Sequence, residues 1–295
     1  MKNLFTTFLF FLFISNANAQ IDIIHPPNWW VGFENQNLQL LAKGNNISEF
    51  KVEIDYQGVE IKKIYKADSP NYLFIDLNIS NSTLPGIFKI KFKRGLKELT
   101  HNYKLENRRN TSQQNEGFDI SDVIYLITPD RFANGDYSND IIKGLKENKI
   151  DRKDNYVRHG GDIIGVTKNI NYIKDMGFTS IWLNPVLIND MKEGSYHGYA
   201  TTDYYTPDPR FGSMDDYLDF SEKASKNGIK LIKDIILNHC GLFHWWMDDL
   251  PFNDWLNYQE IYLKSNDETI EKNTVYSNHR SCLLYTSPSP RDTNE

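Results

Sequence analysis

Between Ile21 and Leu105 the apolar residues recur at every second position. Phe50, Val52 and Ile54 alternate with Lys51, Glu53 and Asp55, and Phe88, Ile90 and Phe92 alternate with Lys89, Lys91 and Lys93. Leu73-Phe74-Ile75-Asp76-Leu77 is a further strand-like run. A period of two sends alternate side chains to opposite faces of a strand, so these segments read as half-buried β-strands. Gly44-Asn45-Asn46, Ser69-Pro70-Asn71 and Pro85-Gly86 separate them with turn chemistry. Several short strands with one polar face predict a small N-terminal β-sandwich over residues 20–105. Residues 106–117 carry no large apolar side chain, and a linker is expected over 106–120.

Beyond the linker the pattern changes. Val123-Ile124-Tyr125-Leu126-Ile127 is continuously apolar, as buried parallel strands tend to be. Thr167 to Met176 has a helical period, with Ile170, Ile173 and Met176 on one face and Gly177 as the stop. Thr179 to Leu183 reads as the next strand. Ser213 and Asp216 form a capping box ahead of a helix whose buried stripe is Tyr217, Phe220 and Ala224, closed by Gly228. Ile229 to Leu237 is a third strand. Strand, helix, strand, helix, strand is the parallel α/β pattern. Three strands leave an open sheet with bare edges and an uncovered apolar face.

Composition narrows the function classes. The 295 residues carry a net charge of −6, and no basic patch offsets it, which argues against a nucleic-acid partner. Residues 1–19 read as a signal peptide: Lys2, an apolar core from Leu4 to Ile14, and Ala17-Asn18-Ala19 before Gln20. An exported protein is therefore expected, periplasmic or extracellular. No later run is long and apolar enough for a membrane helix. Two cysteines, Cys240 and Cys282, make no disulfide framework, and Cys240 reads as a lone thiol.

The densest chemistry follows Ile181-Trp182-Leu183. The stretch Tyr196-His197-Gly198-Tyr199-Ala200-Thr201-Thr202-Asp203-Tyr204-Tyr205-Thr206-Pro207-Asp208-Pro209-Arg210-Phe211-Gly212 is loop sequence. Gly198 permits positive φ, and Pro207 and Pro209 set extended turns. A tyrosine ring can cover the apolar face of a pyranose while His and Asp satisfy its hydroxyls. This string resembles the loop after the second barrel strand of the α-amylase family, glycoside hydrolase family 13, most closely its cyclomaltodextrinase- and neopullulanase-like members. The segment Pro26-Pro27-Asn28-Trp29-Trp30-Val31-Gly32 resembles the opening of their N-terminal domain. Trp29 and Trp30 read first as plugging an interdomain seam and second as stacking on glucan.

The resemblance implies an N-terminal β-sandwich followed by the first part of a (β/α)8 TIM barrel, truncated, over residues 121–280. It implies α-glucan oligosaccharides as substrate. Carried over by motif, Tyr199 stacks on the glucosyl ring about to be cleaved, His197 reaches its hydroxyls, and Asp203 holds the loop. Asp234-Ile235-Ile236-Leu237-Asn238-His239 matches the family's third-strand end, with His239 on the same sugar and Asp234 and Asn238 supporting it. Tyr204, Tyr205 and Phe211 are read as packing.

The loop Pro129 to Asp140 crowds side-chain oxygens at Asn134, Asp136, Asn139 and Asp140 around Gly135. By composition alone it is a turn; by resemblance it is a Ca2+ site, with ligands Asn134, Asp136, Asn139, Asp140, Gly160 and Asp162. Hard cations take six to eight oxygens, so the residue types suit the ion.

Retaining glycoside hydrolysis needs two carboxylates roughly 5–5.5 Å apart. In the family these lie after strands four and five, with a third after strand seven, and no such segments occur in this sequence. Residues 281–295 depart from the family pattern and read as a non-native tail. The chain as given is therefore expected to be inactive. Its alternatives are a non-catalytic glucan-binding relative or a transglycosylase of the same family. A homodimer stays open, because N-terminal sandwiches in such relatives often build dimers.

Overall fold

The computed structural model describes residues 20–108 and 117–255. The expected signal peptide, most of the expected linker, Cys282 and the 281–295 tail lie outside these residues. The chain divides into two compact units at Arg108.

The first unit is a sandwich of two four-stranded sheets. Its strands are β1 (Ile23–His25), β2 (Asn28–Val31), β3 (Asn37–Lys43), β4 (Lys51–Ile54), β5 (Val59–Lys66), β6 (Tyr72–Ile79), β7 (Gly86–Arg94) and β8 (Lys97–Asn107). One sheet runs β1-β3-β6-β5 and the other β2-β8-β7-β4. Pairing is antiparallel except between β2 and β8. The alternation seen in sequence becomes the core: Leu38, Leu40 and Ala42 from β3 and Ile75 and Leu77 from β6 meet Val52, Phe88, Ile90 and Phe92. Each of the larger side chains here, Val, Leu, Ile or Phe, contributes about 1.5–3 kcal/mol when buried from water. At the β5 edge a bulge between Ile61 and Lys63, together with Lys62, Lys63 and Lys66, discourages further strand addition. Trp29 packs partly against the core, whereas Trp30, on the opposite face of β2, is 37% exposed.

The second unit begins with β9 (Ile124–Ile127), followed by the short helix α1 (Pro129–Phe132). Helices α2 (Ile163–Lys168) and α3 (Ile170–Asp175) lead to β10 (Ser180–Leu183); α4 (Met214–Lys226) leads to β11 (Lys230–Lys233). The three strands are parallel in the order β11-β10-β9, with Ser180 level with Ile124 and Lys230. This is the start of the barrel's strand-helix repeat. Ile127, Ile181 and Leu183 turn to the helical side and pack with Ile163, Val166, Ile170, Ile173, Phe220 and Ala224. The opposite face leaves Ile124, Leu126 and Trp182 exposed.

Two element boundaries differ from expectation. The helix predicted from Thr167 begins at Ile163, because the Asp162 carboxylate caps it by accepting from Gly165 N. It then breaks at Asn169, whose Nδ2 donates to Gly165 O at 2.8 Å. Ile170 and Ile173 are buried as predicted, but Met176 lies beyond the last helical turn and is exposed. The third strand stops at Lys233 instead of Leu237. Its partner β10 ends at Leu183, and Asn184-Pro185 cannot continue the ladder. Asp234 consequently stands past the strand end, not within it.

Candidate functional site

The loop from Tyr196 to Gly212, the expected sugar loop, follows the end of β10. A 3-10 turn, Ser195–His197, presents His197, and Gly198 follows at φ +81°. A Cβ at Gly198 would come within 2.0 Å of Pro185 O, so only glycine allows this close approach. Tyr199 then emerges 37% exposed, its ring 5.9 Å from that of His197 at an interplanar angle of 24°. The Tyr199 hydroxyl donates to Asp234 Oδ2 at 3.0 Å, and Trp182 Nε1 donates to the same oxygen at 3.1 Å. Burial and the adjacent Asp234 carboxylate push the Tyr199 phenol above its ordinary range.

The tautomers follow from the partners. Tyr199 N donates to His197 Nδ1 at 2.9 Å, which leaves Nε2 as the protonated nitrogen of a neutral ring. His239 Nε2 donates to Tyr199 O at 2.9 Å, and Asn238 Nδ2 donates to His239 Nδ1 at 3.4 Å. Tyr204 Oη donates to His239 O at 2.5 Å. Asp203 accepts from Tyr205 N (2.7 Å) and Thr206 Oγ1 (3.0 Å), closing the loop on itself. His197, Tyr199, His239, Asp234 and Asn238 are thus brought together, with Asp203 on the loop behind them. Phe211 is fully buried, while Tyr205 remains exposed.

The Asn/Asp loop after β9 closes against Gly160, which sits at φ +86°. A Cβ there would come within 2.5 Å of Asp140 Oδ1 and 2.9 Å of Asn134 Nδ2, so backbone and donors are in direct contact. Asn134 Nδ2 donates to Asp140 Oδ1 at 2.6 Å. Asn134 Oδ1 and Asn139 Oδ1 are both buried without a hydrogen-bond partner. Such orphaned acceptors cost about 1–3 kcal/mol each, and amide oxygens are what a hard cation accepts. Asp136 accepts from Ser138 N and Oγ. Asp162 is fully buried, and its carboxylate accepts from Gly135 N, Asp136 N and Gly165 N. Burial raises its pKa. Among the described residues no three or more His, Cys, Asp or Glu side chains gather as a metal cluster. The candidate donors are carboxylate, amide and carbonyl oxygens, and the unpartnered Asn134 and Asn139 oxygens fit a hard cation.

Between the two loops lies a set of buried charges that sequence reasoning passed over: Asp130, Glu147, Arg158, Asp208 and Arg210. Arg210 grips Asp208 through Nε–Oδ1 at 2.9 Å and Nη2–Oδ2 at 2.6 Å, the bidentate geometry strong pairs adopt. The signal was the Asp208-Pro209-Arg210 triplet inside a loop otherwise read for its tyrosines. Charged residues are almost never fully buried unless paired, and pairing is invisible in one dimension.

A family model described as the alpha amylase catalytic domain matches residues 126–283, over half of the chain. The chain belongs to the α-amylase family. Ahead of the α-amylase match, a model described as the cyclomaltodextrinase N-terminal domain covers residues 23–109. The chain is 42% identical over 120 residues to a beta/alpha-amylase of Paenibacillus polymyxa (41% of this chain, 10% of that protein). It is 36% identical over 151 residues to a cyclomaltodextrinase of Thermoanaerobacter pseudethanolicus (49% and 25%). It is 37% identical over 154 residues to neopullulanase 2 of Thermoactinomyces vulgaris (50% and 26%). An Anoxybacillus alpha-amylase structure aligns at 39% identity and TM-score 0.42, covering 46% of this chain and 28% of that one. The chain thus spans a quarter or less of the length of the first curated α-amylase relatives it matches. In this α-amylase family chain the sugar loop, the third-strand end and the Asn/Asp loop all follow the carboxyl ends of β10, β11 and β9, where barrels of this kind place their chemistry.

Proposed function

We propose that the chain supplies the glucan grip of an exported α-glucan hydrolase that cleaves α-1,4-glucosidic bonds with retention in cyclomaltodextrins, pullulan or maltooligosaccharides. The observation that carries this reading is the convergence of Tyr199, His197 and His239 beside Asp234 at adjacent parallel strand ends. The half-exposed Tyr199 ring offers an apolar face to a pyranose. Asp234 fixes that ring by accepting from its hydroxyl, and His239 Nε2 holds the residue by donating to the Tyr199 backbone carbonyl. With Nδ1 accepting from Tyr199 N, His197 carries its ring proton on Nε2, the kind of donor a sugar hydroxyl accepts. These side chains orient the glucosyl unit for a nucleophile and an acid/base carboxylate, which retention requires. The cyclomaltodextrinase and neopullulanase relatives support the substrate class.

Calcium is held in this reading by Asn134, Asp136, Asn139, Asp140, Gly160 and Asp162. When bound it supplies positive charge to a carboxylate- and amide-lined loop, which is a structural role. Titration of the full-length polypeptide with maltotriose tests the grip. We expect saturable binding, roughly tenfold weaker for Tyr199→Ala, a loss of about 1.4 kcal/mol. Chelation is expected to lower the melting temperature. A full-length protein that binds no glucan overturns the reading.

A further inference from the structure

The buried charges between the two loops form a continuous path. Asp130, 1% exposed, accepts from His159 N at 2.9 Å and from Gly160 N at 3.2 Å. Its carboxylate therefore sets where Gly160 meets Asn134 and Asp140. Arg158 Nε lies 3.7 Å from Asp130 Oδ1, and the guanidinium stacks 4.6 Å from the Phe211 ring. From there Arg158 Nη1 donates to Ser195 Oγ at 3.3 Å. Ser195 is the first residue of the turn that presents His197, and its own N–H donates to Glu147 Oε2 at 2.7 Å. Arg210 anchors the far side by donating to Glu147 O (3.2 Å) and Asn189 O (2.9 Å).

We propose that Arg158 is a positioning residue that couples the Asn/Asp loop to the sugar loop, so that a divalent cation at the former and a glucan at the latter strengthen each other's binding. The inference deepens the glucan reading above and rests on it. The physical reason is that Arg158 has few ways to relax. It is 1% exposed, its guanidinium lies over the Phe211 ring, and it pairs with the buried Asp130. A guanidinium held by an ion pair on one side and a hydroxyl on the other transmits a shift of Gly160 into a shift of Ser195. Interiors this tightly packed are poor at absorbing displacement locally. Thermodynamic linkage then makes the effect reciprocal: whatever factor the cation adds to sugar affinity, the sugar adds to cation affinity.

Calorimetry on the full chain tests this, with β-cyclodextrin titrated with Ca2+ or with a chelator present, and Ca2+ titrated with and without β-cyclodextrin. The native protein is expected to show the same factor both ways, roughly fivefold or more. In Arg158→Met both factors should fall to near one while Ca2+ affinity without sugar is retained. Ser195→Ala removes the same hydrogen bond but leaves the charges in place. It should lower the coupling too, and it decides the matter if Arg158→Met does not fold. An unchanged factor in the variants, or a native factor of one despite sugar binding, overturns the coupling while leaving the glucan reading intact. A native chain that binds no β-cyclodextrin overturns both.

Discussion

Gly198 shows how one residue position shapes the site. Its positive φ was legible from the His-Gly-Tyr step, but the carbonyl of Pro185 pressed against it was not, since that contact joins two separate turns. Gly198→Ala must move either Pro185 or the His197–Tyr199 pair. We expect a loss of about 1–3 kcal/mol of stability and weaker glucan binding, read by thermal melting and maltotriose titration. Unchanged melting and affinity would show that the loop can shift at no cost. Asp234 teaches the complementary lesson. Within an apolar strand it would need a charged partner; at the observed strand end two neutral donors, Tyr199 Oη and Trp182 Nε1, satisfy it.

At the scale of elements, local signals were most reliable where the cause was itself local. Ser213 accepts from Asp216 N, and Asp216 accepts in return from Ser213 N at 2.7 Å, the full capping box read from the sequence. Ser213→Ala should cost about 1 kcal/mol, seen as a lower urea midpoint with an unchanged slope. No change in midpoint would mean that Asp216 alone caps α4. The break at Asn169 and the early end of β11 were harder to read. The first depends on an amide side chain competing for Gly165 O, the second on where a neighbouring strand runs out.

At the scale of the molecule, Asp122 ties the amino ends of the barrel strands together. It accepts from Thr179 Oγ1 at 2.7 Å ahead of β10 and from Lys230 Nζ at 2.8 Å on β11. Lys230, then Thr179 and the Asp119 backbone, hold its carboxyl down at about 2 from an ordinary 3.8. A depressed carboxylate contributes stability that is complete above its unfolded value and disappears as pH falls through the folded one. The native melting temperature should therefore drop between pH 4 and pH 2 more steeply than that of Asp122→Asn, which should be lower at pH 6. Parallel melting curves for the two proteins across that range would remove Asp122 from this role. Among the described residues no helix is long and apolar enough to cross a membrane.

Read alone, the sequence determined what depends on neighbours along the chain: the period-two strands of the sandwich, the capping box, the glycine turns and the loops in which tyrosines, histidine or side-chain oxygens crowd together. Tertiary structure alone decided what depends on residues far apart in sequence meeting in space. It aimed Tyr199 at Asp234 across 35 positions, left Asn134 and Asn139 with unpartnered oxygens, and buried Arg158 and Arg210 among three carboxylates. Periodicity records which face of an element is apolar. Whether a polar group inside finds a partner is set by the packing of other elements, and no local pattern carries that.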